Sequence, residues 1–242
     1  MSDNAESVRV TRGSRKRARE DRKAARAASA RVSQLPFGAL VNNYSPLSPL
    51  TEEQLEVIHK ASLELLRDGG IEVMSERVRS AFQREGAAVD RDREIVCTDP
   101  EMILELVARA PSTFTLTPRN VDHALTLGAN KTYFGMVSGP PNVHDRIDGR
   151  RVGNFADYKK LLSLGQHFNV IALFGNQTVA TTDLPATTRH LDCYLANLSL
   201  TDKVFSAIPI GAGRVNDAAQ MLALARGVSL EEMRARPGLI GN

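Results

Sequence analysis

Apolar residues recur at the spacing of one helix face at Leu55, Ile58, Ser62, Leu65 and Leu66. Ahead of them Thr51-Glu52-Glu53-Gln54 has the form of a capping box, and Gly69-Gly70 supplies a stop. The spacing predicts a helix whose apolar stripe faces a core. Ser75 opens a second helix, with Val78 and Phe82 inward and Gly86 at its end. A third follows Asp99-Pro100-Glu101, which gives an N-cap, a first-turn proline and an acid ahead of Ile103, Leu104, Leu106 and Val107. Short β runs are predicted over 71–73, 95–97, 114–116 and 124–127, so residues 35–130 read as an α+β elaboration.

From Lys131 the pattern changes. Apolar runs over 133–136, 170–174, 204–208 and 239–240 start about 35 residues apart, the length of a strand, a crossover helix and a return. Helices are predicted between them over 155–165, 186–200 and 215–226, and Ser229-Leu230-Glu231-Glu232 caps a further short one. Asp148-Gly149 marks a hairpin turn inserted after the first run. The fold class expected is α/β, with a parallel sheet. Parallel strands are covered on both faces, yet the sequence stops at Gly241-Asn242 directly after a strand-like run. Four βα units make half of an eight-stranded barrel, so residues 131–242 are expected to be the truncated first half of a (β/α)8 TIM-type barrel.

Charge sets off the N-terminus. Residues 1–31 hold ten Lys and Arg against four Asp and Glu, whereas residues 32–242 hold 21 against 24. The run from Arg15 to Arg26 has no apolar stripe beyond alanine, so residues 1–34 read as a basic disordered arm, able to dock an acidic partner or simply solvated. Leu35-Pro36-Phe37-Gly38 and the prolines at 46 and 49 read as an extended linker, with folded structure starting near Ser48. No apolar h-region follows the basic run and no 18-residue apolar stretch exists, which argues against secretion and a membrane span. With 5% aromatics and no Trp, nucleic acid is a poor fit as partner. Cys97 and Cys193 are too few for a disulfide framework, so the chain reads as cytoplasmic.

In parallel α/β sheets, ligands meet the loops beyond the C-terminal ends of the strands. That rule nominates Asn142, His144 and Asp145 after the first run, Asn176 and Gln177 after the second, Gly211 and Gly213 after the third, and Asn242 after the fourth. Turn geometry alone is the competing explanation for the glycines and asparagines. Gly211-Ala212-Gly213 opens like a dinucleotide fingerprint, but Asn216 stands where the third glycine belongs. His190 and Cys193 share a helix face with no second ligand pair, so no metal site is predicted. Neither a nucleophile elbow nor a phosphate-binding lysine loop occurs, and no catalytic pair can be named from spacing.

The order of several segments resembles the trimethylamine methyltransferase family. They are Tyr44-Ser45-Pro46-Leu47-Ser48, the run from Ile58 to Val73, Ala110-Pro111-Ser112-Thr113-Phe114-Thr115-Leu116 and Gly139-Pro140-Pro141-Asn142-Val143-His144-Asp145. Leu191-Asp192-Cys193-Tyr194-Leu195 and Thr201-Asp202-Lys203 extend the match, which runs from about residue 35 to the last. Val204 departs from the family, many of whose members have proline after Thr-Asp-Lys.

The resemblance implies an eight-stranded barrel that takes a methyl group from a tertiary or quaternary amine, such as trimethylamine or a betaine. The acceptor it implies is the cobalt of a corrinoid (cobalamin) held by a partner corrinoid-binding protein, none being bound tightly by this chain. Members are about twice this length, which agrees with a fragment of a homo-oligomeric whole. A quaternary ammonium needs aromatic faces or carboxylates, and here only Tyr133, Phe134, Phe174, Phe205 and Asp145 are candidates. The competing expectation from another class is a non-catalytic binding or regulatory remnant whose basic arm docks an acidic partner.

Overall fold

The structure, a computed structural model, describes residues 32–241. Residues 1–31 of the expected basic arm (1–34) and the candidate Asn242 lie outside the described residues, while Gln34 at the end of that arm is held against the folded part.

Ordered contacts begin ahead of Ser48. The Gln34 side chain donates to His167 O (3.1 Å) and accepts from the Asn169 N–H (2.7 Å), and the Phe37 ring lies 4.3 Å from the His123 ring. Strand β1 (Leu40–Val41) follows. The proline-punctuated segment is thus fastened along the folded part by side-chain amides, which sequence spacing does not reveal.

Helix α1 (Glu52–Asp68) has the expected capping box, with the Thr51 hydroxyl accepting from Gln54 N and the Gln54 side chain from Thr51 N. It ends where Gly70, at φ +69°, brings the backbone so near Val96 O that a Cβ would sit 2.7 Å from it. Strand β2 (Ile71–Glu72), helix α2 (Glu76–Arg84), strands β3 (Ala88–Asp90) and β4 (Ile95–Cys97), and helix α3 (Pro100–Ala108) complete this layer. The three strands form an antiparallel sheet in the order β2-β4-β3. Strand β3 was not expected; it forms because Val89 pairs with the buried Val96.

One expectation for α1 is corrected. Leu55, Ile58 and Leu65 are 42%, 54% and 69% exposed, so most of the stripe read as inward is uncovered among the described residues. Of that stripe only Leu66 is half-buried, together with Leu63, which the stripe did not include.

Strands β5 (Thr113–Leu116) and β6 (Leu125–Gly128) form an antiparallel hairpin, and β7 (Lys131–Thr132) pairs with β1. Next come β8 (Phe134–Met136), the hairpin of β9 (Asn142–Asp145) and β10 (Gly149–Val152), helix α4 (Phe155–His167) and β11 (Ile171–Phe174). The described chain ends with α5 (Arg189–Leu200), β12 (Val204–Ser206), α6 (Ala212–Arg226), α7 (Leu230–Ala235) and β13 (Leu239–Ile240). The protein is therefore mixed α/β. Strands β8, β11, β12 and β13 are parallel, and their order in the sheet is their order in the chain.

One face of this sheet carries Phe174 and Phe205 against Tyr158, Leu162, Tyr194, Leu222 and Met233 of the helices. The other carries Ala172 and Val204 against Leu116 and Leu125 of the β5–β6 hairpin. The connection between the two strands of that hairpin seals the end at which the parallel strands begin. Thr117 N donates to Pro237 O (2.7 Å), Asn120 N to Asp202 O (3.2 Å) and Arg119 to Thr201 O (3.1 Å).

Thr201-Asp202-Lys203 is the knot of this seam. Lys203 is 3% exposed, and its ammonium donates to Gly165 O, Gln166 O and Phe168 O at 3.0, 3.3 and 2.9 Å, capping the C-terminus of α4. Burial pulls the pKa of this lysine down, opposed by the Asp202 charge. Asp202 gathers Gln166 Nε2 (2.8 Å), Asn120 Nδ2 (3.0 Å) and His123 Nδ1 (2.7 Å). Burial raises the pKa of that carboxyl, but the hydrogen bonds outweigh it and leave the group below its ordinary value.

Candidate functional site

The far ends of the parallel strands form a rim. After β8 the chain runs through Val137 and Ser138 to Gly139-Pro140-Pro141, and after β11 through Gly175-Asn176-Gln177. The two loops are stitched together. Gly175 N donates to Met136 O (3.1 Å), Asn176 N to Ser138 Oγ (3.0 Å), Gly139 N to Gln177 O (2.6 Å) and Ala180 N to Pro140 O (2.9 Å). Gly175 is required by this approach, because a Cβ there would lie 2.0 Å from Ser138 Oγ.

Asn176 Oδ1 accepts from Gln177 N (2.6 Å), which orients its amide and leaves Nδ2 without a hydrogen bond among the described residues. Gln177 turns the other way. Its Nε2 donates to Thr181 Oγ1 (3.2 Å) and Cys193 Sγ (3.4 Å) beneath the loop. After β12, Pro209, Ile210 and Gly211 are exposed, and Gly211 at φ +84° turns the chain into α6. Gly213 is also exposed, with nothing within 4 Å of where a Cβ would be.

Asn142, His144 and Asp145 are not in the loop in which the sequence placed them. They form strand β9, whose register puts His144 opposite Arg150 and Asn142 opposite Val152. Glycine and paired prolines suggested a rigid loop, but these residues lie ahead of the strand, and the Asp148-Gly149 turn closes a longer hairpin than expected. His144 is exposed. Asp145 accepts from Ile147 N and Asp148 N, each at 2.8 Å, and pairs with Arg151 (3.2 Å). Arg151 also grips Asp157 in the first turn of α4, with one contact at 2.8 Å. The structure therefore separates the candidates. Asn176, Gln177 and the Gly211–Gly213 turn stand at the strand ends, whereas His144 and Asp145 border a cavity of about 380 Å³ between the hairpin and α4.

This carboxylate pair gives the protein an acid limit. Backbone N–H groups first and Arg151 second hold Asp145 below its ordinary value of 3.8, and Arg151 does the same for the buried Asp157. A folded pKa below the unfolded one gives stability that is present above 3.8 and lost as pH falls through the folded value. Urea midpoints should drop below pH 3.8, and Asp157→Asn should flatten that drop while lowering the midpoint near neutrality. An unchanged acid profile in the variant would contradict the assignment.

The aromatic candidates are placed away from the rim. Phe174 and Phe205 lie under the helices, and the Tyr133 hydroxyl hydrogen-bonds the Thr126 backbone. Phe134 is half-exposed, beside Pro36 and Phe168 at the free edge of β8. His190 Nε2 lies 2.9 Å from Asp217 Oδ2, and Cys193 is a buried thiol whose pKa burial pushes up. No group of three metal-ligating side chains occurs among the described residues, and no described helix is long and apolar enough to cross a membrane. Sequence reasoning missed Ser138, Tyr158, Thr181, Tyr194 and Asn197, whose polar atoms support the rim from below. The only available signal was the appearance of Tyr and Asn at inward helix positions.

Sheet, rim and capping hairpin define a mixed α/β protein whose parallel strands end in a rim of loops. The chain belongs to the trimethylamine methyltransferase family, whose model, described as Trimethylamine methyltransferase (MTTB), it matches over residues 15–242. It is 27% identical over 204 residues to a glycine betaine methyltransferase of Desulfitobacterium hafniense (strain Y51), covering 84% of this chain and 41% of that protein. It is 26% identical over 151 residues to a proline betaine:corrinoid methyltransferase of Eubacterium limosum, covering 62% and 30%. Over 84 residues it is 33% identical to a trimethylamine methyltransferase of Methanosarcina barkeri (strain Fusaro / DSM 804), covering 35% and 17%. The chain thus spans about two fifths or less of the length of these relatives.

Proposed function

We propose that this chain forms the first half of a (β/α)8 barrel that moves a methyl group from a tertiary or quaternary amine, such as trimethylamine or a betaine, to the cobalt of a partner corrinoid protein. The observation that carries this is the family match over nearly the whole chain, on a parallel sheet whose strands lie in chain order. In this reading residues 35–130 close the barrel floor and residues 131–242 supply its first four βα units.

When a quaternary ammonium gives up a methyl group, the C–N electron pair stays on nitrogen and a tertiary amine leaves; trimethylamine gives up its methyl group in the same way, as its protonated form, leaving dimethylamine. A reduced corrinoid on the partner protein would supply the nucleophile that takes the methyl group. This chain's residues bind and orient the amine. The Asn176 amide nitrogen suits an acceptor such as a betaine carboxylate, and the Gly211–Gly213 turn leaves room at the strand ends for a close approach. Since Phe174 and Phe205 are under the helices and Asp145 is ion-paired, the face for the cation is completed by the remainder of the barrel.

The test mixes the whole protein that carries this chain with reduced corrinoid protein and, in turn, trimethylamine, glycine betaine and proline betaine. Methyl–cobalt formation with one of them, read by absorbance, is the expected result. No transfer from any methylated amine would overturn the reading.

A further inference from the structure

Tyr158 and Tyr194 are both completely buried, and a phenol in a core needs a partner for its oxygen. The Tyr194 hydroxyl accepts from Ile208 N (2.8 Å) and donates to Arg214 O (3.2 Å). Those two backbone groups flank the exposed turn through Gly211 that leads from β12 into α6, so one hydroxyl ties both ends of that loop. Its ring is fixed by Phe205 (5.9 Å) and by the edge of His190 (5.8 Å). His190, four residues earlier on α5, meets Asp217 of α6 at 2.9 Å. The two side chains together hold the first turns of α6 at Arg214 and Asp217.

Tyr158 stands in the same relation to the preceding loop. Its hydroxyl accepts a short hydrogen bond from Asn197 Nδ2 and has two carbonyls in reach, Cys193 O (3.4 Å) and Asn176 O (3.5 Å). Cys193 O also receives Asn197 Nδ2 (3.1 Å), so of the two carbonyls Asn176 O is the one with no other side-chain donor among the described residues. Thr181 and Cys193 lie 3.6 Å apart beside the Gln177 amide and complete a polar layer under the loop. Burial raises the pKa of both phenols, so both stay neutral and able to donate.

We propose that Tyr158 and Tyr194 are positioning residues, each fixing the backbone of one of the two central rim loops through its hydroxyl. Phenylalanine would fill the same volume, so packing alone does not require the oxygens. The proposal rests on the rim being the substrate end, and its consequence is that the Asn176 amide and the Gly211 turn are held in place before the amine binds.

The experiment compares Tyr158→Phe and Tyr194→Phe in the whole protein by amide hydrogen exchange and by methyl-transfer kinetics. Tyr158→Phe should speed exchange over 175–182 about tenfold, the effect of losing one ordinary hydrogen bond, and leave 207–214 unchanged. Tyr194→Phe should do the reverse. Each should lower kcat/KM per folded molecule by about tenfold, with the fold retained. Faster exchange in both segments at once, or in neither, would overturn the proposal, as would unchanged kcat/KM. If a phenylalanine variant fails to fold, Thr181→Val and Asp217→Asn probe the same loops from their other partners, and the same loop selectivity decides. Lack of methyl transfer by the unmodified protein would sink the functional reading, while the exchange result would still decide whether the hydroxyls position the loops.

Discussion

Lys203→Met should lower the folding stability by about 3 kcal/mol, read as a drop in the urea midpoint at an unchanged slope. The replacement fills much of the lysine's volume, so the loss isolates the ammonium. That group donates to three carbonyls at the end of α4, and without it Gly165 O and Gln166 O lose their side-chain donor inside a packed seam, while Phe168 O keeps only the Ile171 N–H (3.1 Å). Asp202, beside it, would keep its own hydrogen bonds to Gln166, Asn120 and His123, so the damage stays local to the helix end. Lys160→Met is the contrast. Lys160 is largely exposed, stands 4.0 Å from Asp157, and should change stability by no more than about 0.5 kcal/mol. The seam lies at the opposite end of the sheet from the rim, so under the proposed function the whole protein carrying Lys203→Met should match the unmodified protein in methyl transfer per folded molecule. A loss below about 1 kcal/mol would show that the capping bonds are not what makes this lysine tolerable in the core.

The same lysine shows why the sequence was informative in some places and silent in others. Thr201-Asp202-Lys203 could be recognised as a family signature, but nothing in its spacing told that it is a structural knot. Its partners Gly165, Phe168, Asn120 and His123 lie about 35 to 80 residues away in the chain, at distances no local pattern encodes. Features set by neighbouring residues were legible. The capping boxes at Thr51 and Ser229 formed as read, and the Asp99 cap and the cadence of strands β8, β11, β12 and β13 were also visible. The stripe of α1 was legible as apolar but not as exposed, since what covers a face is a tertiary property.

The site divides in the same way. Asn176 and Gln177 were legible as strand-end loop residues, which a rule of topology nominates as candidates. Their opposite orientations were not, because they depend on Thr181 and Cys193, which lie under the loop. Asp145 was chosen for its carboxylate, yet its charge is spent within the β9–β10 hairpin on Arg151 and two backbone N–H groups. Nothing in the spacing of the sequence singled out Tyr158 or Tyr194. Only the coordinates show that the buried end of each ring is a hydrogen-bonding hydroxyl set against a loop backbone.

Gly175→Ala should be the most damaging single methyl group at the rim. A Cβ there would meet Ser138 Oγ at 2.0 Å and Ser138 Cβ and N each at 2.9 Å, so part of the obstacle is backbone and cannot rotate away. Relief requires the β8 and β11 loops to separate, which breaks the Asn176 N to Ser138 Oγ bond and strains the Gly175 N to Met136 O bond. Overpacking of this kind costs about 1–3 kcal/mol. Under the proposed function the larger effect is geometric: a shift of Asn176 by about an ångström should lower kcat/KM for methyl transfer by the whole protein about a hundredfold. Gly211→Ala separates the two causes, because no atom crowds that position and only its φ of +84° resists a side chain. It should cost about 1 kcal/mol and leave the β8 and β11 loops joined. In the double variant Ser138→Gly with Gly175→Ala, the Oγ and Cβ clashes vanish and only the backbone nitrogen remains close. Stability should then be partly regained relative to Gly175→Ala alone, a coupling that a double-mutant cycle measures directly. Additive effects would mean that the two loops are not held by this contact, and the rim would have to be assembled by other means.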